Sequence, residues 1–183
     1  MLTPEQQQRS LLAIIHRRSI DMDGDAAIHS DPWLEEVQAS SGLKMIHTIA
    51  LWWQRFQIEW QCRYTSRLMK RLGCFESYLA DHFRKHPIPP SIEELTGQFL
   101  SSLQRHEDPL LRAVASLELA CIRSSAAPTR TTTIFWDRNP NQVMDALDRF
   151  AQLPAPEPKV RYILRMGASL PNGVSCKRQV LRA

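Results

Sequence analysis

Residues 159–182 read KVRYILRMGASLPNGVSCKRQVLR. Val160, Tyr162, Leu164, Met166, Ala168 and Leu170 alternate with Lys159, Arg161, Ile163, Arg165, Gly167 and Ser169. This is the two-residue period of a strand with one apolar face and one basic or small face. Pro171-Asn172-Gly173 has the chemistry of a three-residue hairpin loop, with proline presetting the first turn position and glycine accepting left-handed backbone. That loop pairs Leu170 with Val174, Ala168 with Cys176 and Leu164 with Val180. Val174, Cys176 and Val180 then join the apolar face and Lys177 the basic one, with Arg178 the exception.

Working back from the hairpin, Leu153-Pro-Ala-Pro-Glu-Pro158 is a stiff connector that continues neither helix nor ladder. Asn139-Pro140 starts a helix through Val143, Met144, Leu147 and Phe150. Thr131-Thr-Thr-Ile-Phe-Trp136 is β-branched and aromatic over a strand's length. Composition changes at Ser124-Ser-Ala-Ala-Pro128. These elements make a small β-α-β-β unit over 126–183, in which Ile134 or its neighbours pair with the hairpin.

Residues 1–125 read as a helical domain. Thr3-Pro4, Asp31-Pro32, Ser91 with Glu94, and Asp108-Pro109 are helix starts. Ile49 with Trp53, and then Trp52, Phe56, Trp60, Tyr64, Leu68 and Leu72, recur every four residues, which predicts one long central helix ending at Gly73. Its opposite side carries Arg55, Arg63, Arg67, Lys70 and Arg71, a solvated face or a nucleic-acid stripe. The expected fold class is α+β, mainly α: an N-terminal helical bundle followed by the small sheet unit.

With 183 residues, 43% of them hydrophobic, and no long apolar run, the chain reads as globular, without a membrane span or a secretory leader, and the expected location is cytoplasmic. The net charge of +4 is unevenly placed: residues 159–183 hold six basic residues and no acidic one. A charge-driven contact is therefore expected there.

Signatures of independent chemistry are absent. No nucleotide loop, zinc-protease motif or nucleophile elbow occurs, and Cys62, Cys74, Cys121 and Cys176 form no C-x-x-C pair. Only His82 and His86 share a helical face, and a metal would need a further ligand, for which Asp81 and Cys74 are near in sequence. The expectation is no metal, no cofactor and no turnover by this chain alone.

A resemblance comes from Tyr64-x-x-Arg67-Leu68, Phe75-x-x-Tyr78-Leu79-x-x-x-Phe83-x-x-His86-Pro87, Ile92-x-x-Leu95-x-x-x-Phe99-Leu100 and Leu110-Leu111-x-Ala113-Val114-Ala115-x-Leu117-Glu118-Leu119-Ala120. Together these motifs span about a third of the chain. They are similar to the HvfC/BufC-like family, which carries a DNA-binding-domain label. The resemblance implies a partner protein of multinuclear non-heme iron enzymes in the maturation of ribosomally made, cysteine-containing peptides. It would bind the precursor peptide while the iron enzyme, a separate chain, oxidatively modifies a cysteine.

Residue chemistry suggests where such contacts would form. An extended peptide can add to an open strand edge, and Lys159, Arg161, Arg165 and Lys177 would select an acidic leader. Trp52 and Trp53, adjacent on one helix and hard to bury together, are candidates for a partner interface. Nucleic acid is the rival ligand for the same charges.

Overall fold

In a computed structural model, which describes residues 3–16, 32–86, 89, 91–126, 131–168, 170 and 173–181, the chain is α+β and mainly α. The helices are α1 (Pro4–His16), α2 (Pro32–Ala39), α3 (Ser41–Gln61), α4 (Arg63–Arg71), α5 (Phe75–Lys85), α6 (Ile92–Ser102), α7 (Pro109–Ala126) and α8 (Pro140–Asp148). A three-residue 3-10 turn, Leu103–Arg105, joins α6 to the segment before α7. Strands β1 (Thr132–Trp136), β2 (Val160–Met166) and β3 (Val174–Val180) form one antiparallel sheet in the order β1-β2-β3.

The helices begin where local chemistry satisfies their first N–H groups. Thr3 Oγ1 accepts from the Gln6 N–H at 3.3 Å while Gln6 Oε1 accepts from the Thr3 N–H at 2.9 Å, a reciprocal capping box. Ser91 Oγ accepts from the Glu94 N–H, Asp108 Oδ1 from those of Leu110 and Leu111, and Asn139 Oδ1 from that of Asn141. Asp31 lies outside the described residues, and α2 begins at Pro32.

Two compact units result, one of residues 1–57 with 77–90, the other of 58–76 with 91–183. The expected boundary at residue 125 falls inside the second unit, because α7 packs against β1 as well as against α4 and α6. The change of composition there marks helix giving way to strand within one core. Phe99, Leu100, Leu103, Leu111, Val114, Trp136, Val143 and Leu147 supply much of that core, each fully buried side chain contributing about 1.5–3 kcal/mol.

The predicted long helix is interrupted. Cys62, with φ −107° and ψ 52°, separates α3 from α4. The interruption is stabilised from a distance: the buried Glu118 carboxylate on α7 accepts from the N–H groups of Tyr64 at 2.8 Å and Thr65 at 3.0 Å. A carboxylate at a helix N-terminus also complements the helix dipole. Burial pushes the Glu118 carboxyl pKa up, opposed by those hydrogen bonds and the charge of Arg63.

Much of the arginine stripe is neither bare nor an open nucleic-acid surface. Arg63 and Arg67 pair with Asp148, which also accepts from the Tyr64 hydroxyl. Arg71 donates to the carbonyls of Ala146 and Ala151, Arg67 to that of Leu147, and Lys70 pairs with Glu59. Three arginines of α4 thus hold the C-terminal end of α8.

In the sheet, Ile134 pairs with Leu164 and Trp136 with Tyr162, so β1 pairs with the first strand of the hairpin. The hairpin register differs: Leu164 lies opposite Cys176 rather than Val180, a shift of four residues. The connection runs from Gly167 to Gly173, closed by hydrogen bonds from Gly167 N–H to Gly173 C=O, Leu170 N–H to Gly167 C=O and Gly173 N–H to Leu170 C=O. Gly167 and Ala168 offer little side chain to bury, so local turns satisfy this backbone instead of a longer ladder. Of the predicted loop, Pro171 and Asn172 lie outside the described residues, and Gly173 has a φ of +72°.

Because the shift is even, every side chain keeps its predicted face. The predicted burial of β3 fails, however, since all seven of its residues are exposed. Burial reaches Tyr162, Leu164 and Met166 on β2 and stops there. Arg178, the polar residue on the apolar face, is accounted for by Glu157, which accepts from both Arg178 and the Tyr162 hydroxyl.

Candidate functional site

Three of the four basic residues singled out by alternation, Arg161, Arg165 and Lys177, come together on one side of the sheet, and Lys159 immediately precedes it. Lys159, Arg161 and Arg165 are exposed residues of the same parity along β2 and its entry, and Lys177 stands opposite Ile163 on β3. Lys159 adopts a φ of 64°, and its carbonyl accepts from the Leu181 N–H at 2.7 Å, which anchors the far end of the hairpin. Arg161 lies opposite Gln179, and Arg165 lies between Thr133 and Ser175. None of the three strands contains a carboxylate, so the face is positive with no internal neutralisation.

Phe135 lies at the middle of β1 on this face, opposite Ile163. It is 56% exposed, and the Arg161 guanidinium carbon lies 5.4 Å from its ring centroid. A row of Phe135, Ile163 and Lys177 therefore crosses the sheet, flanked by Arg161 and Arg165. Sequence reasoning missed Phe135 as a surface group, although its parity, opposite to that of the buried Ile134 and Trp136, was the available signal.

Trp52 and Trp53 are 60% and 50% exposed. They do not form the core stripe that their spacing predicts. Both stack near Phe56, with ring centroids 6.0 Å and 5.6 Å away, and Ile46, Ile49 and Met45 are exposed on the same helix. The buried positions of α3 are Leu43, Gln54 and Ile58.

His82 and His86 have ring centroids 4.7 Å apart. Burial, then the neighbouring His86 charge, lowers the His82 pKa to about 4. Asp81 is occupied by Arg84 and Lys85, and the Cys74 thiol donates to the Met69 carbonyl. No group of three or more His, Cys, Asp or Glu residues among the described ones is placed to hold a metal. None of the four cysteines is in a disulfide, and the Cys62 thiol is pushed strongly up by burial and then by Glu118.

These features define a class: a mainly helical α+β protein with a small sheet that has a basic face and an exposed aromatic patch on one helix. No family model, curated protein or solved structure matches the chain. Among the described residues no helix is long and apolar enough to cross a membrane.

Proposed function

We propose that this chain is a non-catalytic recognition subunit that binds an extended precursor peptide and presents it to a separate iron-dependent oxidative enzyme acting on a peptide cysteine. The observation that carries the peptide part is the sheet: among the described residues its two outer strands have no further strand beside them, and Arg161, Arg165 and Lys177 line one face. Backbone pairing supplies affinity to almost any extended segment, while the cations favour an acidic one. The iron-enzyme part rests on the resemblance of residues 64–120, with Trp52 and Trp53 as the partner-facing residues.

The test is a titration of labelled acidic leader peptide against the wild type and an Arg161→Glu, Arg165→Glu double variant. Both side chains are exposed, so the fold should persist while peptide binding weakens by about 1–3 kcal/mol. Unchanged affinity would remove this face from the reading.

Phe135 favours a second reading, in which single-stranded nucleic acid stacks on the ring with its phosphates near Arg161 and Arg165. Tight binding of random oligonucleotides with a steep salt dependence, lost in Phe135→Ala and unmatched by peptide, would establish that reading instead.

A further inference from the structure

Residues 45–56 of α3 lie in the first compact unit and carry a largely exposed apolar face. Leu43 and Gln54 turn inward, while Met45, Ile46, Ile49, Trp52, Trp53 and Phe56 are between 45% and 65% exposed. Between Lys44 and Arg55 the helix has no Asp, Glu, Lys or Arg, and the His47 ring is engaged with the Ile14 carbonyl at 2.9 Å. An aromatic side chain buries about 150–250 Å² when it is covered, so with about half of each side chain accessible the six expose on the order of 600 Å². That is the upper end of the ~300–600 Å² patch of an ordinary monomer. Two such faces together reach about 1,200 Å², the lower bound of a specific interface.

The rings are already ordered. Trp52 and Trp53 each stack near Phe56, and their own centroids are 6.4 Å apart, so covering this preset cluster costs little side-chain entropy. Met45, Ile49, Trp52 and Phe56 are spaced four, three and four residues apart, the seam of a coiled coil. That spacing reads the same from either end. Two antiparallel copies crossing between Ile49 and Trp52 therefore set Ile49 of each against Trp52 of the other, and Met45 against Phe56. Every layer then holds one large ring and one smaller flexible or branched side chain, the alternation that fills a helix interface. At the flanks Trp53 meets Ile46 and Arg55 meets Thr48, so no like charges face each other. Parallel copies would instead set Trp52 on Trp52 and Met45 on Met45.

We infer that this face receives a second copy of the same chain, the two α3 helices packing antiparallel about a two-fold axis with Ile49 and Trp52 at the centre. A two-fold contact requires a patch complementary to itself, and an uncharged seam of reversible spacing meets that condition. The inference stands apart from peptide binding. The separate enzyme assigned to Trp52 and Trp53 would take the second copy's place, so the dimer and the enzyme complex exclude each other.

The test is sedimentation equilibrium of the full chain from about 1 to about 200 µM, the span in which an interface at the small end of the standard range dissociates. The mass should rise from one copy to two. Ile49→Lys and Trp52→Glu, both at exposed positions, should each keep the fold by circular dichroism yet stay monomeric, because each puts a charge into both central layers. Mixed in equal amounts, the two variants should dimerise again, at least about tenfold more tightly than either alone. An antiparallel pair sets the introduced lysine against the introduced glutamate in one layer and leaves Ile49 against Trp52 in the other. A wild type that is monomeric at every concentration overturns the dimer. A dimer that both single variants retain overturns the face, and loss in both without recovery on mixing overturns the antiparallel arrangement. Peptide affinity is read separately at Arg161 and Arg165, so a failed dimer leaves that reading standing.

Discussion

Helices α3 and α7 both carry apolar residues at helical spacing, yet α7 buries its apolar face and α3 leaves its aromatic face exposed. On α7, Leu110, Leu111, Ala113, Val114, Ala115, Leu119 and Ala120 are buried. Its alanines let neighbours approach closely, and α4, α6 and β1 all pack on it. On α3, Ile49, Trp52, Trp53, Phe56 and Trp60 are all exposed, while Gln54 is buried and its Oε1 has no partner among the described residues. A periodic apolar face shows that a helix has a side to cover. Whether the chain itself covers it depends on the size of the side chains and on what the topology brings near.

The hardest test of this contrast is Leu111→Ala. Leu111 is fully buried in the first turn of α7, so the truncation should cost about 2–5 kcal/mol in urea denaturation. A loss under 1 kcal/mol, on the order of a surface change, would break the comparison from the α7 side.

Glu118→Ala is expected to be next in size. It strands the N–H groups of Tyr64 and Thr65 at the start of α4, at a cost of about 1–3 kcal/mol. Glu118→Gln keeps an acceptor oxygen and should lose less. If the two variants proved equally destabilised, the charge on Glu118 rather than its hydrogen bonding would be what holds the break between α3 and α4.

A smaller effect belongs to pH. His82 titrates near 4 in the folded chain against an ordinary 6.5, held down by burial and then by His86. Between those values the unfolded chain binds the extra proton, so stability is full above pH 6.5 and falls as pH drops toward 4, by at most about 3 kcal/mol. In His82→Phe this part of the acid slope should vanish from a pH series of thermal melts. A slope identical to the wild type's would assign acid sensitivity to other groups.

The smallest change is expected from Trp52→Ala with Trp53→Ala. Buried tryptophans cost about 3–5 kcal/mol on truncation, but these exposed ones should cost within about 1 kcal/mol together, near the range of surface substitutions. A loss as large as that of Leu111→Ala would mean that the α3 face is covered within the folded chain.

Much of the fold was legible because its signals are local. Thr3, Ser91, Asp108 and Asn139 each satisfy N–H groups two or three residues away, so the helix starts could be read directly. Strand alternation placed Arg161, Arg165 and Lys177 on one face, and an even register shift could not disturb that. The groove lined by Arg112, Trp136 and Arg161 beside β1 was not legible, because these residues meet only through packing.

By itself, then, the sequence determined several helix starts, the α+β class and the sidedness of β2. All of these follow from residues within a few positions of one another. Tertiary structure decided the rest. The break at Cys62 depends on a carboxylate 54 residues beyond Tyr64, and the arginines of α4 are occupied by carbonyls and an aspartate some 80 residues away. Whether a strand or helix face is covered likewise depends on which distant element packs over it. Periodicity records only that one side of an element is apolar, because the free energy of burial comes from contacts that the local sequence does not contain.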